Sequence, residues 1–191
     1  YAAQPIREES LLSGPLEPTN EYYAIAKIAG LKLVQAYRKQ YGHNWISMMP
    51  TNLYGPGDNF DEMTSHVIPG MITKFRLAMA EGSNQVVLWG SGTPLREFLY
   101  VDDLAAACLF CLENYDGEEL LNVGSGEEVS IAQVAKIISG LVGFGGEIVW
   151  DTSIPDGTPR KRLDIGRLSS LGWRSNTLLQ EGISDTLSSL S

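Results

Sequence analysis

Apolar residues at Ile25, Ile28, Ala29, Leu31, Leu33, Val34 and Tyr37 recur at the spacing of one helical face. They predict a helix over 20–41 with a wide buried side and with Tyr23 and Lys27 at its edge. Asn20 supplies an N-cap, Glu21 suits the positive first turn, and Gly42 ends the run. The next apolar stretch, 45–49, reads as a short buried strand, and residues 50–57 form a glycine-containing loop at its carboxyl end, held by Pro50 and Pro56. A second helix runs from Ser65 to Glu81, with Pro69 tolerated in its first turn. Residues 86–89 form a strand, 90–94 a turn, and 96–101 alternate as a further strand. Asp102 then caps an alanine-rich helix to Asn114. A strand over 120–123, a helix over 130–141, a strand over 147–150, a polar loop over 151–161, a short helix over 164–171 and an amphipathic tail from Leu178 complete the chain. Residues 1–19, with Pro5, Gly14, Pro15 and Pro18, read as loop.

Helices alternating with strands predict an α/β fold with a largely parallel sheet, and open sheets of that kind bind ligands at the carboxyl ends of their strands. The glycine-rich turn of a dinucleotide-binding half is missing. Gly124-Ser-Gly126 is the nearest approach, and Val129 stands where the third glycine would fall. The chain opens at Tyr1 in a loop-like lead-in, so it is expected to be an internal piece that lacks part of its own site.

A chain of 191 residues, 43% hydrophobic and 19% charged, has ordinary globular composition. The net charge of −9 argues against nucleic acid or an anionic membrane as partner. Any anionic ligand must therefore meet a local basic cluster, and Lys74/Arg76, Arg96 and 160–162 are the clusters available. No apolar run is long enough to span a bilayer, and a cytoplasmic address follows by default. Cys108 and Cys111 lie in an apolar helix without the glycine, proline or strand of a redox motif, and are expected to pack in the core. Nothing suggests a metal site.

Tyr23 and Lys27 are four residues apart, so phenol and ammonium share a helix face. A neighbouring cation stabilises phenolate and draws a group that titrates near about 10 towards the range useful for proton transfer. The same spacing also describes an ordinary solvated pair.

The neighbouring blocks give the pair its context. Leu16-Glu-Pro-Thr-Asn-Glu-Tyr-Tyr-Ala-Ile-Ala-Lys-Ile-Ala-Gly30, Met49-Pro-Thr-Asn-Leu-Tyr-Gly-Pro56, Ser65-His-Val-Ile-Pro69, Trp89-Gly-Ser-Gly-Thr-Pro-Leu-Arg-Glu-Phe-Leu99 with Val101-Asp-Asp103, and Pro155-Asp-Gly-Thr-Pro-Arg-Lys161 resemble, in order, the extended short-chain dehydrogenase/reductase group of nucleotide-sugar enzymes. The resemblance implies the C-terminal part of a Rossmann-type reductase. Residues 1–61 would belong to the NADP-binding domain and 62–191 mainly to a substrate domain, with about 96–124 returning to the first. It implies NADP(H) as cofactor, a GDP-sugar as substrate and a homodimer built partly through the tyrosine helix. The implied reaction takes GDP-4-keto-6-deoxy-D-mannose to GDP-L-fucose by epimerisation at C3 and C5 and reduction at C4. In it Tyr23 protonates the ketone oxygen, and Lys27 lowers the tyrosine pKa and holds the nicotinamide ribose. His66 reprotonates a carbon during epimerisation and lies near the cofactor. Pro50, Thr51, Asn52 and Leu53 line the nicotinamide side, and Lys74, Trp89, Arg96, Asp156 and Lys161 bind the GDP-sugar. The family's glycine-rich loop, its substrate-binding serine and its epimerisation cysteine would lie upstream, so the piece alone is expected to be inactive. Two alternatives stay open: another nucleotide-sugar epimerase or dehydratase, and a non-catalytic sugar-nucleotide-binding fragment. Arg76, Arg160 and Arg162 are left as surface charge, and His43 as a capping or surface residue.

Overall fold

The computed structural model describes residues 2–190, and Tyr1, where the lead-in begins, lies outside them. In chain order the elements are α1 (Glu21–Tyr41), β1 (Met48–Pro50), β2 (Asn52–Tyr54), α2 (Val67–Glu81), β3 (Gln85–Trp89), β4 (Leu95–Arg96), β5 (Phe98–Tyr100), α3 (Val101–Asn114), β6 (Leu121–Val123), β7 (Val129–Ser130), α4 (Ile131–Val142), β8 (Glu147–Asp151), β9 (Arg160–Lys161), α5 (Gly166–Ser170) and α6 (Leu179–Ser188). Strands β1 and β6, β2 and β5, and β3 and β8 pair in parallel. Strand β4 pairs in parallel with β9 and antiparallel with β7. The expected α/β class with mostly parallel pairing is what the chain adopts.

Two hydrophobic cores hold these elements. One gathers Tyr54, Ile68, Ile72, Phe75, Val86, Leu88, Phe98, Tyr100, Val134, Ile138 and Ile183 from β2, α2, β3, β5, α4 and α6, with Phe144 just after α4. The other gathers Leu99, Ala107, Cys111, Leu121, Val123, Leu168 and Trp173, with Met48 and Leu53 against it. Residues 46–53, which precede the first lobe, thus share a core with 99–123, which follow its first strands.

Helix ends follow the chemistry of their residues. Gly42, Gly82 and Gly143 stop α1, α2 and α4 with φ of 68°, 65° and 74°. Ser130 and Gln133 form a capping box at the start of α4. Asn20 occupies the N-cap of α1 but makes no side-chain bond there.

Several expectations need correction. The strand predicted at 45–49 begins three residues later, because Trp45 turns outward and stacks on Tyr37, with ring centroids 5.1 Å apart. His43 is exposed, as expected, and stacks on Trp45 in turn. The loop 50–57 contains β2, drawn into register with β5 by burial of Tyr54. The strand predicted at 96–101 is broken at Glu97, whose side chain turns into the interior. Tyr100 rather than Asp102 is the N-cap of α3. Asp103, buried in the first turn, accepts hydrogen bonds from the Asn176 and Thr177 N–H groups at 3.3 and 3.0 Å. The polar loop after β8 ends in β9, and Ile6 in the supposed loop bridges to Leu163. Cys111 packs in the core as expected, whereas Cys108 is exposed. The wide apolar face of α1 is not buried: Tyr22 is 86% exposed and Leu33 57%, because no described element lies against that side.

The turn before β4 depends on Gly92. Its φ is 73°, and an added Cβ would lie 2.6 Å from Trp150 Cζ2. Gly92→Ala combines left-handed backbone strain with overpacking, and is expected to lower unfolding free energy by about 2–4 kcal/mol in urea titrations.

Candidate active site

The site residues fall into two groups, carried by different elements. In the middle of the second turn of α1, Lys27 Nζ lies 5.3 Å from the centroid of the Tyr23 ring. Both side chains are exposed, Tyr23 by 60%, so the pair faces outward rather than into a packed interior. Neither has a side-chain hydrogen-bond partner among the described residues, which leaves phenol and ammonium free to meet a ligand. His66, also exposed, is the N-cap of α2, where its carbonyl accepts the Gly70 N–H at 2.9 Å. No bond ties it to Tyr23 or Lys27 among the described residues.

The loop between β1 and β2 is anchored from below. The Thr51 N–H donates to Val123 O at 2.9 Å, Thr51 Oγ1 to Glu97 O at 3.3 Å, and Asn52 Nδ2 to Glu97 O at 2.7 Å. Thr51 is buried, and the Asn52 amide is already hydrogen-bonded. These two side chains therefore fix the loop, while Pro50 is the exposed member of the four.

Lys74, Trp89, Asp156, Arg96 and Lys161 come together around the ends of β3, β4 and β9. Lys74 Nζ reaches across from α2 to Val87 O at 3.1 Å and lies 4.5 Å from the centroid of the Trp89 ring, a cation–π contact. Trp89 remains 52% exposed. Asp156 accepts from the Ser91 N–H at 2.9 Å and from Ser91 Oγ at 2.6 Å, which draws the 155–159 loop back onto the turn after Trp89. These bonds from Ser91, with the Arg96 charge as a smaller cause, hold the Asp156 carboxyl below the usual carboxylate range. Arg96 and Lys161 are register partners on β4 and β9. Burial pushes the Arg96 guanidinium down, with Asp156 opposing. Although Lys161 reaches solvent, desolvation and then the Arg96 charge push its ammonium below the ordinary lysine range. Burial does the same to Lys74, with Glu62 opposing. Lys74 over Trp89, and Arg96 beside Lys161, are cations that an anionic ligand could meet.

Two residues read as surface charge have partners. Arg160 forms a two-pronged ion pair with Glu128 at 2.6 and 2.5 Å, and Arg162 approaches the same carboxylate at 3.8 Å. A separate cavity of about 450 Å³, lined by Tyr54, Phe98, Glu128, Arg174, Asn176 and Leu179 among others, contains none of the predicted site residues. Among the described residues no group of three or more His, Cys, Asp or Glu side chains is placed to hold a metal, and no helix is long and apolar enough to cross a membrane.

Helices alternating with mostly parallel strand pairs are those of a Rossmann-type α/β fold. The chain belongs to the NAD dependent epimerase/dehydratase family, whose model matches residues 1–124. It is 58% identical over 189 residues to the GDP-L-fucose synthase of Sinorhizobium fredii and 56% identical over 186 residues to a probable GDP-L-fucose synthase 1 of Oryza sativa, covering 99% and 97% of this chain. It spans 60% and 57% of the length of those two relatives. The crystal structure of a GDP-L-fucose synthetase from Naegleria fowleri bound to NADP superposes with a TM-score of 0.93 at 35% identity, over 98% of this chain and 61% of that one.

Proposed function

We propose that this chain is the C-terminal part of an NADPH-dependent enzyme that converts GDP-4-keto-6-deoxy-D-mannose to GDP-L-fucose. The observation that carries the proposal is the run of neighbours from Lys74 over Trp89, through Asp156 bonded to Ser91, to Arg96 and Lys161 side by side. A guanine nucleotide diphosphate offers an aromatic plane and two phosphates, and this cluster offers a ring and three desolvated cations. The relatives named above carry the same activity in their names.

The residues fit the nicotinamide end of the cofactor. Lys27 has its ammonium unengaged beside Tyr23, and the 50–53 loop is held rigid with Pro50 outward. This chain supplies no glycine-rich turn for the pyrophosphate. When bound, NADPH supplies the hydride that reduces the C4 carbonyl carbon. Tyr23 donates the matching proton to the carbonyl oxygen, and Lys27 stabilises the phenolate left behind while binding the ribose hydroxyls. His66 serves epimerisation at C3 or C5, where protons acidified by the ketone are removed and returned from the other face by groups distinct from Tyr23. Thr51 and Asn52 hold the loop from beneath.

The second core, with Met48, Leu53, Leu99, Leu121 and Val123 in or against it, supports a cofactor domain that draws on 1–61 and about 96–124 and a substrate domain made mainly of the rest, with Tyr54, Phe98 and Tyr100 crossing to the first core and Leu168 and Trp173 to the second. The uncovered side of α1, with Tyr22, Ile25 and Leu33 exposed, supports a homodimer of the complete enzyme through that helix. A cytoplasmic, multifunctional enzyme fits this reading.

The intact protein, given GDP-4-keto-6-deoxy-D-mannose and NADPH, is expected to oxidise one NADPH for each GDP-L-fucose formed. An epimerase or dehydratase that recycles its nicotinamide would show no net oxidation. Folded protein that leaves NADPH unchanged overturns the proposal.

A further inference from the structure

Glu97 is completely buried, yet it sits in the break between two strands and no cation lies within ion-pair distance of its carboxylate among the described residues. Burying a carboxylate is costly unless hydrogen bonds replace its water. Two backbone donors do so, each from a distant part of the chain. Oε1 accepts the Gly126 N–H at 2.7 Å and Oε2 the Leu163 N–H at 2.8 Å. Burial still pushes its carboxyl up, with these N–H groups, the Thr51 side chain and the more distant Arg162 charge pulling back. The main-chain oxygen of the same residue accepts from Thr51 and Asn52, and its chain neighbour is Arg96.

One residue therefore meets the loop assigned to the nicotinamide, the loop 124–126 after β6, and the strand end that carries Lys161. Leu163, held by Glu97, is two residues beyond Lys161. The flanking segment is clamped from its other side by the Ile6 N–H donating to Arg162 O and the Asp164 N–H donating to Ile6 O, both at 2.8 Å. Gly124 leaves the space the carboxylate occupies, since a Cβ there would run into Glu97 Oε1.

Resting on the function proposed above, we infer that Glu97 is a positioning residue, whose carboxylate sets Lys161 against Arg96 for the diphosphate of the nucleotide sugar. A glutamine at 97 keeps the shape but offers a single acceptor oxygen. One of the two N–H groups then faces an NH2 group and is left unsatisfied, so either the 124–126 loop or the segment at Leu163 must shift. The bonds from Thr51 and Asn52 to the main-chain oxygen survive the change, although Thr51 also bonds the carboxylate through its side chain. The effect should fall on the sugar nucleotide and spare the cofactor.

In the intact protein, Glu97→Gln is expected to raise KM for the GDP-sugar and Kd for GDP about tenfold, while KM for NADPH stays within about twofold and kcat within about threefold. Gly124→Ala, which presses on the carboxylate without altering its charge, should give the same split. A merely structural role predicts something else: a lower melting temperature and a smaller active fraction, so that kcat falls while KM for the sugar and Kd for GDP hold. That result in either folded variant overturns the inference. If Glu97→Gln does not fold, Gly124→Ala decides alone. Calorimetry with GDP separates this inference from the proposed activity. Wild-type protein that binds GDP without oxidising NADPH refutes the activity, whereas active protein whose variants keep their GDP affinity refutes only the positioning role.

Discussion

Replacing Tyr23 by phenylalanine in the intact protein is expected to slow reduction of the ketone by about 10²–10⁴-fold, the range lost when a positioned general acid is removed. The ring, its cation–π contact with Lys27 and its place on α1 all remain, so neither fold nor GDP affinity should change. The exposure of Tyr23 makes this a clean substitution, since no interior bond is broken. Epimerisation offers an internal control. On the proposed reading it uses groups other than Tyr23, so deuterium from solvent should still enter C3 and C5 of the bound ketone at near wild-type rates in the phenylalanine variant. Single-turnover NADPH oxidation and mass spectrometry of the recovered sugar read the two steps separately. Loss of both together would mean that Tyr23 holds the substrate, and undamaged reduction would remove it from the chemistry.

The parts of this fold written in local periodicity were legible. Helices α1, α2 and α4 are predicted to within a few residues because their apolar spacing, their glycine stops and the Ser130 cap are all short-range signals. Strands β2, β4, β7 and β9 are two or three residues long, too short to show a period, and exist because distant segments supply their partners. The break at Glu97 belongs to the same class. Its donors lie 29 and 66 residues away, and nothing near it in sequence marks a buried carboxylate. Burial of Tyr54 against the α6 region and of Asp103 under 176–177 is long-range in the same sense. Amphipathic spacing says which side of α1 is apolar but not what covers it, so the predicted buried face and the observed exposed one are compatible with one pattern.

The site divides along the same line. The motif marks Lys74, Trp89, Arg96, Asp156 and Lys161; the contacts between them are long-range, with α2 packed on β3, Asp156 bonded to Ser91 and β9 beside β4. What the motif could not convey is that Thr51 and Asn52 point inward to Glu97 O. That fixes the loop by bonds from below and leaves its upper surface for a ligand.

Part of the cluster that would hold the nucleotide, Lys74 and Trp89, rests on the core beneath α2 and β3, and Phe75 is the largest fully buried side chain there. It packs edge-on against Phe144 with ring centroids 5.5 Å apart, so truncation leaves a cavity between α2 and the turn after α4. Phe75→Ala is expected to cost about 3–5 kcal/mol of unfolding free energy, near the top of the range for a single substitution. Leu112→Ala on the 72%-exposed face of α3 should stay within about 0.5 kcal/mol. Chemical denaturation checks both. Below its lowered melting point, folded Phe75→Ala protein should bind GDP with unchanged stoichiometry, and weaker affinity would show that relaxation of the core had moved Lys74 relative to Trp89. A loss under about 1 kcal/mol would mean that α2 can close over the missing ring. In that case the packing of α2 is not what fixes Lys74 over Trp89, and the two are held by their own contact alone.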